Sequence, residues 1–371
     1  MPNSSLAIKK ILPADLARLI DHLQILEYKV MGPTVREAAI VYDQIKSIED
    51  LPKGWKDEQE GGYYRLINTG SNQLFDYAVG PDSWKKYLYP KEEVVYSTQL
   101  QNGDLIFTTA DPVPAKQAFF GIRSCELSGI AILDKVFLND SFVDGGYAVR
   151  RNDLLLIAVN CSRSGNTCFC TSVDSGPGVH SGFDLALTEI YNGEHYFTLE
   201  VGSELGASIV ENLNFDEADD IAMKNAKKQV EKAKLQQRKL NTNGLKERIY
   251  QNLENQPFWE DVAYRCLNCA NCTLVCPTCF CSNVEDITQL DGNTTDRVRH
   301  WDSCFNLSHS HIAGDSVRQS GSSRYRQWFS HKLASWQDQF DTLGCVGCGR
   351  CITWCPVGID ITAEVARLET E

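Results

Sequence analysis

With 371 residues, 43% of them apolar, and a net charge of −13, the chain can bury a core in each of two domains and is too acidic to attract nucleic-acid phosphates. No apolar run approaches the roughly 18 residues that cross a bilayer, and Met1–Lys10 carries no export-signal pattern, which predicts a cytoplasmic protein with neither a nucleic-acid nor a membrane partner. The 15 cysteines are odd in number and crowded towards one end, so they read as metal ligands rather than as a disulfide framework.

Pro13 with Leu16, Leu19, Ile20 and Leu23 at helical spacing predicts an early amphipathic helix, with proline in the first turn where its missing N–H costs nothing. Short β-branched or aromatic runs follow at Ala39–Tyr42, Tyr63–Ile67, Val94–Ser97, Ala118–Ile122, Leu154–Val159 and Tyr196–Val201, punctuated by Gly, Pro and Asn. These predict a mixed α/β (α+β) domain over residues 1–213. In 214–244 the acids Asp216, Glu217, Asp219 and Asp220 lead and seven Lys or Arg follow, with Ala222, Ala226, Val230 and Ala233 as a thin apolar stripe. That order suits a helix dipole and predicts a charged, solvated connector helix. Residues 245–371 hold Leu245, Ile249 and Leu253 at helical spacing and then a cysteine-rich region.

Two runs in that region share the pattern C-x2-C-x2-C-x3-C-P: Cys266, Cys269, Cys272 and Cys276 before Pro277, and Cys345, Cys348, Cys351 and Cys355 before Pro356. Three thiolates at intervals of three, on a loop wrapping a cube of iron and sulfide, reach three irons, and the fourth iron needs a distant ligand. In two-cluster ferredoxins the last cysteine of each run crosses to the other cluster. The expected ligand sets are therefore Cys266, Cys269, Cys272 and Cys355 for one [4Fe-4S] cluster, and Cys345, Cys348, Cys351 and Cys276 for the other. Proline locks φ and directs the fourth thiolate away from its own run. Zinc sites use two separated C-x2-C pairs, which this spacing fits poorly. The 68 residues between the runs exceed a compact ferredoxin hairpin and carry helical patterns, which predicts an α-helical dicluster ferredoxin domain.

Seven cysteines remain. Cys125, Cys161, Cys168 and Cys170 are a candidate ligand set for a third cluster, with Arg123 and Arg163 placed to balance its charge, against the alternative of small buried apolar residues. Cys279, Cys281 and Cys304 are candidates for a further site, with Asp302, His309 or His311 as a fourth ligand, or else for a supporting role around the first cluster. Thr171–Asp184 has enough glycine to bring backbone close to a ligand, yet neither it nor any other segment matches a dinucleotide or phosphate-loop pattern. Arg297, Arg299, His300, Arg318, Arg324, Arg326, His331 and Lys332 make the segment between the runs locally basic, which reads first as a solvated face and second as a partner surface or an anion pocket.

Taken together, Cys276-Pro277-Thr278-Cys279-Phe280-Cys281, Trp301-Asp302-Ser303-Cys304 and Cys345-Val346-Gly347-Cys348-Gly349-Arg350-Cys351 resemble the dicluster β-subunits of cytoplasmic sulfhydrogenases and anaerobic sulfite reductases. Gly121-Ile122-Arg123-Ser124-Cys125, Cys168-Phe169-Cys170 and Gly182–Glu189 extend the resemblance over nearly the whole chain, and Met31–Val35 with Leu51–Trp55 favour the hydrogenase branch. The resemblance implies a non-catalytic electron-transfer subunit that relays electrons between a [NiFe] hydrogenase module, of large and small subunits, and a separate subunit carrying FAD and binding NAD(P). The alternatives are the same role in an anaerobic sulfite reductase, or a reductase acting at a non-standard iron–sulfur site of this chain.

Overall fold

The computed structural model describes residues 8–109, 116–139 and 141–368. Among them an eight-stranded sheet runs in the order Asp216–Glu217, Ile8–Ile11, His195–Val201, Leu185–Tyr191, Leu154–Val159, Gln117–Ile122, Lys29–Arg36 and Ala39–Gln44. Its central strands pair in parallel, and Leu154–Val159 is buried at every position, as a strand covered on both faces must be. One face packs on the Pro13–Ile25 helix through Leu16, Leu19, Ile20 and Leu23 against Phe120, Leu155 and Ile157. The other meets the Ser124–Phe137 helix, where Leu127, Ile130 and Leu133 lie on Phe119, Leu154 and Leu156. The alternation of Leu154 to Leu156 with Leu155 to Ile157 is the period-two pattern of a strand serving two cores.

The C-terminal region departs from the all-helical expectation. Ser282–Thr288 and Thr294–Trp301 are strands, and with Glu92–Gln101 and Asp104–Thr109 they form a four-stranded antiparallel sheet. Val284, Ile287, Thr294, Thr295 and Val298 supply the β-branched residues that favour a pleated surface, and their partner strand comes from the N-terminal half of the chain. The rest of the region is helical: Gln256–Arg265 and Gly321–Ser330 pack Phe258, Trp259 and Val262 on Tyr325, Trp328 and Phe329.

The connector also differs from a solvated helix across 214–244. The helix spans Asp220–Ala233, capped by the Asp219 carboxylate accepting from Ala222 N–H, and buries Ala222 and Ala233. Before it, Asp216–Glu217 pairs with the Ile8–Ile11 strand. Beyond it, Arg238 pairs with Asp360 at 2.5 Å and Glu60 at 3.0 Å, so the segment is laced to both halves. The halves are further locked by the fully buried ion pair of Glu126 with Arg350, whose guanidinium also donates to the carbonyls of Gly80 at 2.8 Å and Asp82 at 2.7 Å. No helix among the described residues is long and apolar enough to cross a membrane.

Candidate iron–sulfur centres

The two cysteine runs fold into the same loop. Asn268 and Ala270 of the first and Gly347 and Gly349 of the second have φ of 52°, 66°, 60° and 76° at matching positions, and the short helices Asn271–Leu274 and Arg350–Thr353 follow. The left-handed turn aims Asn268 N–H at Cys266 Sγ (3.4 Å) and Gly347 N–H at Cys345 Sγ (3.5 Å). Such N–H···S bonds support negative charge on sulfur. Asn tolerates this backbone and Ala does so at a cost, whereas the second run has no choice: a Cβ on Gly347 would lie 2.6 Å from Cys170 Cα, and one on Gly349 2.4 Å from Thr167 O. The second run is pressed against the Thr167–Cys170 loop, and Phe169 N–H donates to Gly347 O at 2.8 Å.

Cys355 joins the first run at one cavity of about 450 Å³, lined by Cys266, Cys269, Cys272 and Cys355 and also by Cys351, and walled by Phe305, Tyr325 and Trp328. Burial, then the neighbouring thiols of Cys266, Cys355 and Cys269, push the Cys272 thiol well above its ordinary range. Cys276 does not line that cavity and lies between the two groups, close enough to act on Cys272 and on the second run. It raises the Cys351 thiol together with Cys345 and Cys348, after burial. A hydrogen bond from Cys279 holds the Cys276 thiol itself well below the usual range, reinforced by the charge of Lys332 and opposed by burial. Crowded, buried thiols are unfavourable as free groups and apt as thiolate ligands, so this donor chemistry fits a cluster at each position.

Lys332 is the side chain that sequence reading missed. Grouped with a solvated basic face, it is instead 3% exposed. Its ammonium donates to Cys276 Sγ at 3.3 Å, Thr278 Oγ1 at 3.3 Å and Gly344 O at 3.0 Å. Burial alone would lower its pKa, but the thiols of Cys276, Cys279 and Cys345 outweigh burial and hold it well up. A π-helical stretch, His331–Ser335, continues the Gly321–Ser330 helix and carries Lys332 inward. Lys85, pulled down to about 8 by burial, donates to Cys279 O at 2.8 Å beside it. Of the other basic residues, Arg318 and His331 share a cavity wall with Lys332, whereas Arg297 pairs with Asp286 and Arg299 with Glu93 and Asp144.

Cys125, Cys161, Cys168 and Cys170 come together against the second run. Cys125 lies in the first turn of the Ser124–Phe137 helix. Burial, then Cys170 and Cys161, raise the Cys168 thiol; burial, then Cys348, raise Cys125. Gln236 Nε2 donates to Cys170 Sγ at 3.0 Å. A Cβ on Gly176 would lie 3.1 Å from that sulfur, so the glycine-bearing segment does approach it closely. Arg123 donates to Phe75 O at 2.9 Å and Tyr77 O at 3.0 Å while its charge faces Cys161. Arg163 is spent on Asp57 and Asp76 and is not part of this group.

Cys279, Cys281 and Cys304 line a different, open cavity of about 1270 Å³ with His309, Arg318 and Lys332. A hydrogen bond with Cys304 brings the Cys281 thiol down to about 4, with His309 acting the same way. Asp302 approaches His309 rather than a thiol, and His311 lies exposed in a strand pair with Asp315–Ser316.

Residues 265–359 match the family model of a 4Fe-4S dicluster domain. Sulfhydrogenase 2 subunit beta of Pyrococcus furiosus is 36% identical over 336 residues, 90% of each chain. The chain belongs to the sulfhydrogenase β-subunit family. The match bears out the hydrogenase branch expected from Met31–Val35 and Leu51–Trp55, and it reaches well beyond the dicluster domain.

Proposed function

We propose that this chain is the iron–sulfur electron-transfer subunit of a hydrogenase complex, relaying electrons between a [NiFe] module of large and small subunits and a flavin subunit that reduces or oxidises NAD(P). The observation that supports this reading is Cys355 lining one cavity with Cys266, Cys269 and Cys272, in a chain that is 36% identical over 90% of its length to a sulfhydrogenase β subunit.

In this reading Cys266, Cys269, Cys272 and Cys355 hold one [4Fe-4S] cluster and Cys345, Cys348, Cys351 and Cys276 hold the other. Cys125, Cys161, Cys168 and Cys170 hold a third, with Cys348 turned towards both groups. Bound clusters of this kind accept and donate one electron each. The protein's part is to space the sites and set their charge. Backbone N–H groups of Asn268, Gly347 and Ile359 donate to Cys266, Cys345 and Cys355, and the Lys332 ammonium favours the reduced state beside Cys276.

The four-stranded sheet is the natural contact for a neighbouring subunit, since Val95, Leu105, Ile106, Phe107 and Ile287 leave apolar surface exposed on it. The test is purification under anaerobic conditions: the chain should co-purify with a nickel-containing subunit and a flavin subunit, and in isolation should contain iron and labile sulfide without oxidising hydrogen. Turnover of hydrogen by the isolated chain, or zinc in place of iron, contradicts the reading.

A further inference from the structure

The open cavity beside Cys281 belongs to none of these three ligand sets. Its wall carries thiols from two segments, Cys279 and Cys281 just past Pro277 and Cys304 from the turn after the Thr294–Trp301 strand. The strands Ser282–Thr288 and Thr294–Trp301 are antiparallel partners, with Ser282 opposite Trp301, and this pairing brings the two segments together.

His309 completes the group. Its Nδ1 lies 2.7 Å from Asp302 Oδ2, and that carboxylate accepts from Ser303 N–H at 2.7 Å and from the Asn306 side chain. A carboxylate held in place on one ring nitrogen fixes the tautomer and orients the ring, leaving Nε2 as a lone-pair donor, as in metal-binding histidines generally. The same ring lines the cavity wall with Cys281.

We propose that Cys279, Cys281, Cys304 and His309 ligate a further iron–sulfur cluster, with imidazole in the position that thiolate fills elsewhere in the chain. The inference rests on reading this chain as an iron–sulfur protein and extends it. Cys279, Cys281, Cys304 and His309 on one cavity wall offer three sulfur donors and one nitrogen donor, a donor set of the kind iron–sulfur centres use. Asp302 is occupied in orienting His309, and His311 is exposed in the strand pair with Asp315–Ser316 and does not line the cavity, which singles out His309 among the three candidate fourth ligands. Neutral imidazole in place of thiolate makes the site less negative by one charge and raises its potential, as histidine ligation does in other iron–sulfur centres. Lys332 and Arg318 on the same cavity wall act in the same direction.

The full-length chain, purified anaerobically and labelled with isotopic nitrogen in histidine, tests this by pulsed EPR together with iron and sulfide counts. The expected result is a directly coordinated nitrogen signal in the wild type. In His309→Ala the signal is lost with one cluster's worth of iron and sulfide. In His309→Cys the iron count stays but the signal is lost, and that cluster's midpoint potential falls. An unchanged iron count in both His309→Ala and Cys304→Ser, or a wild type without coordinated nitrogen, overturns the proposal while leaving the crossed sites standing. A wild type without iron overturns both.

Discussion

The two cysteine runs share spacing, loop geometry and the following proline, yet they sit in opposite surroundings. The first lines an aromatic cavity at the molecular edge, with Cys269 exposed. The second packs on the Thr167–Cys170 loop with Cys348 buried and Cys345 and Cys351 half-buried, and its site has Lys332 on Cys276, Arg350 beside Cys348 and Lys85 close by. On the proposed ligand sets, shared cysteines set the cluster type, while the neighbouring fold sets its charge. Buried cations stabilise the more negative, reduced state, so the second site is expected to have the higher reduction potential.

The comparison breaks most completely at the crossing cysteines. Cys276→Ala should remove the cluster held by Cys345, Cys348 and Cys351 and spare the one beside Cys266; Mössbauer spectroscopy and iron counts decide, and loss of the nearer cluster would mean that the runs do not cross. Next in size is Arg350→Met. It strands Glu126 in a buried site and removes the donors to Gly80 O and Asp82 O, and breaking such a pair costs about 3–5 kcal/mol. Thermal unfolding should show a large drop in Tm, and an unchanged Tm would show that the halves are held by other contacts.

Lys332→Met should leave the iron count unchanged and lower the potential of the second cluster by about 59 mV or more, a one-electron shift of at least tenfold. The first cluster should not move; equal shifts in both would remove the distinction between the two environments. The smallest effect is expected from Thr278→Val. It deletes a hydroxyl that donates to Gly344 O at 2.6 Å and contacts Cys276 Sγ at 3.2 Å, at a cost of about 1 kcal/mol. Denaturant unfolding measures that loss.

Local pattern carried much of this site into view. Cysteine spacing and the trailing prolines are contiguous signals, and Leu154–Val159 announces a buried strand by composition alone. What escaped depends on distant partners. Residues 282–301 read as part of a helical insertion because the strand they pair with lies at Glu92–Gln101. Lys332 sits in a basic stretch, and only the π-helical turn with its packing against Cys276 shows that it points inward. The requirement for Gly347 and Gly349 likewise comes from the Thr167–Cys170 loop, far away in sequence. Sequence spacing identifies ligands, whereas tertiary contacts assign the residues that tune them.

An EPR-monitored redox titration of the wild type beside Cys276→Ala tests the central contrast most directly. The account predicts separate one-electron waves for the two crossed sites, with the wave lost in Cys276→Ala at the higher potential. A shared potential, or loss of the lower wave, would contradict it.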